Sequence, residues 1–159
     1  MTDPMNALTA LQQALNAGGV RLALGSIDAE LSFIFDQPNG TPRFTYALVD
    51  RSEVLAIALF VTADPVQGTP CFNIGYAVVE AARRRGLGFK VVSLAFDELT
   101  HGLKRAGVVM FYVEAVISID NLPSNGLAKK VFSEPPDSGV DSFSGEPMLH
   151  YLKKVDLRQ

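Results

Sequence analysis

The chain of 159 residues has one cysteine, two histidines and no tryptophan. A lone thiol, Cys71, excludes an internal disulfide, and without a cluster of thiols or imidazoles a structural zinc site lacks its ligands; no metal is expected. Positive charge is scarce as well. Fourteen Lys and Arg against 17 Asp and Glu leave a formal net charge of −3, and the basic residues sit in local clusters, so nucleic acid is not an expected partner. No apolar run reaches the roughly 20 residues of a membrane-crossing helix, so no membrane partner is expected either. Residues 1–19 lack the basic leader and continuous apolar stretch of a signal peptide. A reducing, cytoplasmic setting is the expectation that these absences favour. No repeat or low-complexity tract divides the chain, and 48% hydrophobic residues suit a single domain over 1–159.

What is present is a series of well-punctuated elements. Asn6 to Ala17 carries Ala7, Leu8, Leu11, Ala14 and Leu15 at helical spacing, between Asp3-Pro4 and Gly18-Gly19. Residues 20–24 admit a brief strand or a turn. Leu31 to Phe35 and Phe44 to Val49 read as strands around Asp36-Gln37-Pro38-Asn39-Gly40, whose Asn-Gly pair signals a hairpin. Val54 to Thr62 is nearly all apolar, as a strand covered on both faces should be. Beyond a loop bounded by Asp64-Pro65 and Gly68-Thr69-Pro70, Cys71 to Val79 returns as a further strand. From Leu87 the apolar positions 87, 91, 94, 95, 99 and 103 mark one face of a long helix that stops at Gly107. Val108 to Val116 is β-branched and aromatic, hence a strand, and Pro123 to Phe132 is a helix opened by Asp120-Asn121. Met148 to Val155 closes the series as a strand, with a short partner near Val140 to Phe143. This order predicts an α/β (α+β) fold, a mixed and mostly antiparallel central sheet flanked by helices.

Chemistry concentrates where the strand ending at Val78-Val79 runs through Glu80-Ala81-Ala82-Arg83-Arg84-Arg85-Gly86 into the long helix. The first turn of a helix has backbone N–H groups without partners and a partial positive charge. Gly86 and Gly88 let an anion approach the main chain closely, and three arginines add attraction, so a phosphate site is the natural reading. It is not a Walker A loop, since no Gly-Lys-Ser/Thr follows, nor the three-glycine dinucleotide fingerprint. The plainer alternative is a solvated charge run ahead of an ordinary helix.

The spacing Arg-x-x-Gly-x-Gly, after a strand and before a helix, resembles the pyrophosphate loop of the GCN5-related N-acetyltransferases. Ile119-Asp120-Asn121-Leu122-Pro123-Ser124 resembles that family's Asn-x-x-Ser helix. Glu114-Ala115 and Asn73-Ile74-Gly75-Tyr76 resemble two strands of its ribosomal-protein alanine acetyltransferase branch. The likeness covers Cys71 to about Phe132 and extends to Met148 to Val155; upstream of Val54 it is one of element order. It implies acetyl-CoA as co-substrate and a primary amine, on a small molecule or a protein N-terminus, as acceptor. A homodimer is an assembly it leaves open.

By the same resemblance the strand at Val78-Val79 splays from the strand around Glu114, and the gap admits the pantetheine arm as though it were an extra strand. Arg83, Arg84, Arg85, Gly86, Leu87, Gly88 and Phe89 would hold the pyrophosphate, and Asn121 the pantetheine. A backbone N–H among Ala77, Val78 and Val79 would hold the developing oxyanion. Ser124 would lie near the sulfur and give or relay a proton, because the position one turn on, where many members have a tyrosine, is Ala128. Asn73 stands where the branch often has a glutamate, so Glu114 becomes the preferred base, with Glu80 and His150 behind it. Its structural alternative is a carboxylate paired with a neighbouring cation. The base matters because an α-amine is neutral at pH 7 roughly one time in six and a lysine amine about once in 2,500, a difference worth about 3.5 kcal/mol. The competing assignment is a CoA-binding module of this fold with weak or no turnover. His101 reads as a cation suited to its helix end. Of His150 and Tyr151 only one can face a cleft; Phe33, Phe35, Phe44 and Tyr46 read as core by alternation, with the lining of an acceptor pocket as the alternative for some of them, and Cys71 as a small buried residue.

Overall fold

Asp3 starts the first helix by accepting the Met5 N–H on its side chain at 2.9 Å, one residue ahead of Pro4. The computed structural model describes residues 3–158, in which this helix, α1, runs Pro4–Asn16. Five strands follow: β1 Ala23–Leu24, β2 Leu31–Asp36, β3 Arg43–Asp50, β4 Glu53–Val66 and β5 Thr69–Val78. Then come α2 Leu87–Arg105, β6 Met110–Ser118, α3 Leu122–Val131, β7 Asp137–Val140 and β8 Pro147–Asp156. The eight strands form one sheet in the order β1-β2-β3-β4-β5-β6-β8-β7, antiparallel except where β5 meets β6.

Alternation along the central strands sorts the core into two layers. Ala47, Ile57, Leu59 and Ala77 face α1 with its Leu8 and Leu11, while Tyr46, Ala58, Phe60 and Phe72 face α2 and α3. Covered on both sides, β4 buries Ile57 and Phe60 completely, each worth about 1.5–3 kcal/mol relative to exposure. Phe33, Phe44 and Tyr46 belong to this core or pack on it, as expected. Phe35 does not: it is 44% exposed, because the outer neighbour β1 ends its pairing at Phe33 and leaves the rest of β2 as an open edge. Among the described residues no helix is long and apolar enough to cross a membrane.

Two turns differ from the sequence reading. Gln67 and Gly68 have φ of 49° and 80° and join β4 to β5 as a tight hairpin, so Asp64-Pro65 lies inside β4 at a break in register between Ala63 and Val66. The strand beside β8 is Asp137–Val140 instead of Val140 to Phe143. Asp141 accepts the N–H groups of Phe143 and Ser144 on its side chain, and Gly145 takes a φ of 74°, which makes residues 141–146 the turn.

A buried carboxylate ties α2 to the segment before β2. Glu98 accepts three backbone N–H groups, from Ser26 at 3.0 Å, Ile27 at 2.7 Å and Asp28 at 3.0 Å. Gly25 allows this contact, since a Cβ there would stand 2.6 Å from Glu98 Oε1.

Candidate active site

The one parallel pair in the sheet is short. β5 and β6 are in register only at Cys71–Tyr112, Phe72–Val113 and Asn73–Glu114. Beyond that rung β5 keeps only β4 and β6 keeps only β8, so the two strands part. A cavity of about 360 Å³ occupies the opening. Asn73 and Val116 line it from one face of the sheet and Tyr76, Ala115 and Ala128 from the other, so the opening passes through the sheet. A second cavity, of about 650 Å³, continues it to the start of α2 and is lined by Val78, Arg83, Arg84, Gly86, Leu87 and Gly88. Asp3, Tyr76, Asn121, Ser124 and Leu127 line both and mark the junction.

Which main-chain groups face the gap follows from the ladder. The Val79 N–H donates to the Leu55 carbonyl at 2.9 Å, and in an antiparallel pair alternate residues turn the same way, so Ala77 also points to β4. Tyr76 and Val78 present their main chain to the gap. Of the three amides expected there, the geometry retains Val78. Its carbonyl accepts Arg83 Nε at 3.1 Å.

At the other end of the cleft the helical ladder of α2 begins with Lys90 N–H to the Gly86 carbonyl, which leaves the amides of Leu87, Gly88 and Phe89 ahead of it. Arg84 and Gly86 adopt left-handed φ of 65° and 74°, a conformation that costs a side-chain-bearing residue about 1 kcal/mol or more. Nothing lies within 4 Å of where a Gly86 Cβ would stand. Gly88 differs: a Cβ there would lie 2.9 Å from Cε2 of Tyr76, so its missing side chain seats the Tyr76 ring as well as baring the main chain. Arg85 folds back towards the Ala81 carbonyl at 3.5 Å, and Phe89 turns outward beneath Lys130, whose Nζ lies 5.5 Å from the ring centre.

α3 opens under Asn121, whose Oδ1 caps it by accepting the Ser124 N–H at 3.2 Å. Ser124 Oγ lies 3.2 Å from Tyr76 Oη across the junction. The helix is pinned from below by Asn125, which is buried and donates to the Ser118 and Asn121 carbonyls while accepting the Tyr151 hydroxyl at 2.9 Å. Tyr151 is fully buried, and burial raises its phenol above the usual range, so it belongs to the core.

Glu114 stands at the vertex where the strands part, on the sheet face opposite Tyr76. Its Oε2 lies 2.8 Å from His150 Nε2, with the two side chains 22% and 31% exposed. Two of the three candidate bases thus form one dyad, and the neighbour that holds Glu114 is a histidine. The third, Glu80, is exposed in the turn after β5. His101 lies near the C-terminal end of α2 and lines neither of these two cavities. The contact that sequence reasoning missed is Tyr76–Ser124. Its signal was there, since Ile74, Tyr76 and Val78 alternate onto the α2 face of the strand that feeds the arginine loop.

Cys71, two rungs before the vertex, is buried, and burial followed by the nearby Glu114 carboxylate pushes its thiol up to about 11. At pH 8 the folded protein is therefore expected to resist alkylation, with stoichiometric labelling only after denaturation; rapid labelling of the native protein would contradict this placement.

The parted strand pair, the glycine-bearing loop at the head of α2 and the order of elements define the class: the chain has the fold of the GCN5-related N-acetyltransferases. Similar solved structures include RimL, a ribosomal L7/L12 alpha-N-protein acetyltransferase in complex with coenzyme A, at 18% identity and a TM-score of 0.52 over 72% of this chain and 63% of that one. The ribosomal-protein-S5-alanine acetyltransferase of Vibrio fischeri matches at 12% identity and a TM-score of 0.55 over 76% of this chain and 64% of its own. An acetyltransferase of the same family from Streptococcus pneumoniae matches almost end to end, 97% and 96%, at 10% identity and a TM-score of 0.53. The chain thus spans under two thirds of the length of the two ribosomal-protein enzymes. No family model and no curated protein sequence matches it.

Proposed function

We propose that the protein is an acetyl-CoA-dependent N-acetyltransferase that delivers the acetyl group to a primary amine, on a small molecule or a protein N-terminus, by direct attack. The continuous cleft carries this reading. An acyl-pantetheine arm needs a channel walled by free main-chain groups, which the parted β5 and β6 supply, and a diphosphate needs converging amides and positive charge, which the head of α2 supplies. The open space at Gly86 lets phosphate oxygens reach the backbone. In this reading the amides of Leu87, Gly88 and Phe89, with Arg83 and Arg84, hold the diphosphate, and Arg85 acts at longer range. Asn121 keeps its Nδ2 for the arm, Val78 N–H meets the acetyl oxygen, and Ser124 lies by the sulfur.

The amine proton goes to the Glu114–His150 dyad. A carboxylate only accepts, so Nε2 carries the hydrogen in the 2.8 Å contact and Nδ1 is left as an acceptor oriented by Glu114. Glu114→Gln is expected to lower the rate about a hundredfold at pH 7 and much less at pH 9, where more of the amine is already neutral. Equal losses at the two pH values would remove the dyad from the mechanism.

Thermal stabilisation by acetyl-CoA, followed by thiol release in the presence of Ala- and Ser-initiated tripeptides and phenethylamine, tests the whole reading. Stabilisation without thiol release supports the CoA-binding module that Ala128 makes credible; neither response leaves only the fold.

A further inference from the structure

We propose that Tyr76, on β5, is the acid that protonates the departing thiolate, acting through Ser124. This rests on the acetyl-transfer reading above and adds to it a residue from the strand wall of the cleft. Among the described residues lining the two cavities, Tyr76 is the one phenol. It lines both, and so does Ser124, so a chain running from the diphosphate end into the sheet gap passes beside this pair. Tyr76 Oη and Ser124 Oγ are 3.2 Å apart. A serine hydroxyl accepts one hydrogen bond while donating another, so the pair forms a short relay from the phenol to whatever atom Ser124 faces.

The ring has little freedom to leave this position. Cε2 of Tyr76 occupies the space that a side chain at position 88 would need, and Leu127 closes the same spot from α3. The ring is therefore backed by Gly88 of α2 and Leu127 of α3 while its hydroxyl reaches Ser124 at the junction, and that placement is what makes a proton donor effective.

The two ends of the proton traffic lie on opposite faces of the sheet. Asn73 pairs with Glu114 at the vertex, and Tyr76, three residues further along β5, is on the other face by alternation. Attack forms a C–N bond at the acetyl carbon and breaks the C–S bond, whose electron pair stays on sulfur. The amine loses its proton on the Glu114–His150 face and this passes to water. Sulfur gains a proton from Tyr76 through Ser124, and water restores the phenol. One proton lost by nitrogen and one gained by sulfur leave the balance closed.

Tyr76→Phe removes the hydroxyl and keeps the ring against Gly88. With acetyl-CoA as donor and an Ala-initiated tripeptide and phenethylamine as acceptors, kcat is expected to fall about a hundredfold, the lower end of the range for a general acid because a thiolate is a good leaving group. The KM for acetyl-CoA and the calorimetric affinity for CoA should stay within about twofold of wild type. Ser124→Ala should lose about as much, and the double variant should lose no more than Tyr76→Phe, as for two members of one relay. A fluorinated tyrosine at position 76, a stronger acid, should restore the rate and move the alkaline limb of the kcat profile to lower pH. A Tyr76→Phe kcat within threefold of wild type would overturn the proposal and leave acetyl transfer standing. So would a loss of CoA affinity that accounts for the whole defect, since the hydroxyl would then serve binding. A wild-type protein that binds CoA but releases no thiol with these acceptors overturns both.

Discussion

Replacing Gly86 with valine should lower the affinity for CoA by about a hundredfold or more while the chain remains folded. The residue has a φ of 74°, a region in which a β-branched side chain is strained by about 1–2 kcal/mol, so the loop must either bear that strain or turn its amides away. A Cβ at this position meets no protein atom within 4 Å, so the damage is not a clash inside the fold. It falls on the space where a phosphate must sit against the first amides of α2, and losing two or three charge-assisted bonds at about 1.5 kcal/mol or more each accounts for the expected loss. Calorimetric titration with CoA, alongside a melting curve, checks both halves. Unchanged affinity in a folded variant would remove the diphosphate from this loop.

Glu98→Ala is the complementary case, a large effect on stability with none on binding. The residue is 6% exposed, and its carboxylate takes three backbone N–H groups at 2.7–3.0 Å. Removal leaves those donors without their acceptor and opens a void under residues 25–28, for an expected loss of about 3–5 kcal/mol once partial rehydration is allowed for. For a domain of this size that lowers the melting temperature by about 10 °C or more. Glu98→Gln retains one acceptor oxygen and should fall between the two. Glu98 lies about three turns along α2 from Gly86, so CoA affinity of the folded fraction should not move. A melting temperature within about 2 °C of wild type would mean the three bonds are replaced by water without cost.

These residues also mark how far the sequence could be read. The turn at Gly86 was legible because it is set locally: a strand, a basic turn, a glycine and an amphipathic helix follow one another along the chain, and a helix start bares its amides whatever surrounds it. Asn121 and Ser124 stood out through the short Asn-x-x-Ser pattern at a helix start; that Asn121 caps this helix by accepting the Ser124 N–H is seen only in the structure. Glu98 gave no such sign. Its partners are 70 to 72 positions away, and in the sequence it is one more acid on a helix. The pairing of Glu114 with His150 spans 36 positions and that of Tyr76 with Ser124 spans 48, each requiring a sheet order and a register to bring it about.

Periodicity, helix punctuation and the composition of one loop thus determined the kinds and order of the elements and the position of the glycine-bearing turn at the head of α2, because those follow from contacts within a few residues. The tertiary structure alone decided that β5 and β6 part after three rungs, which β5 amides face the opening, and which carboxylates are clamps or partners of a histidine. Those outcomes depend on how strands from distant parts of the chain are placed side by side, and a shift of one residue in that register would send each of these side chains to the other face of the sheet.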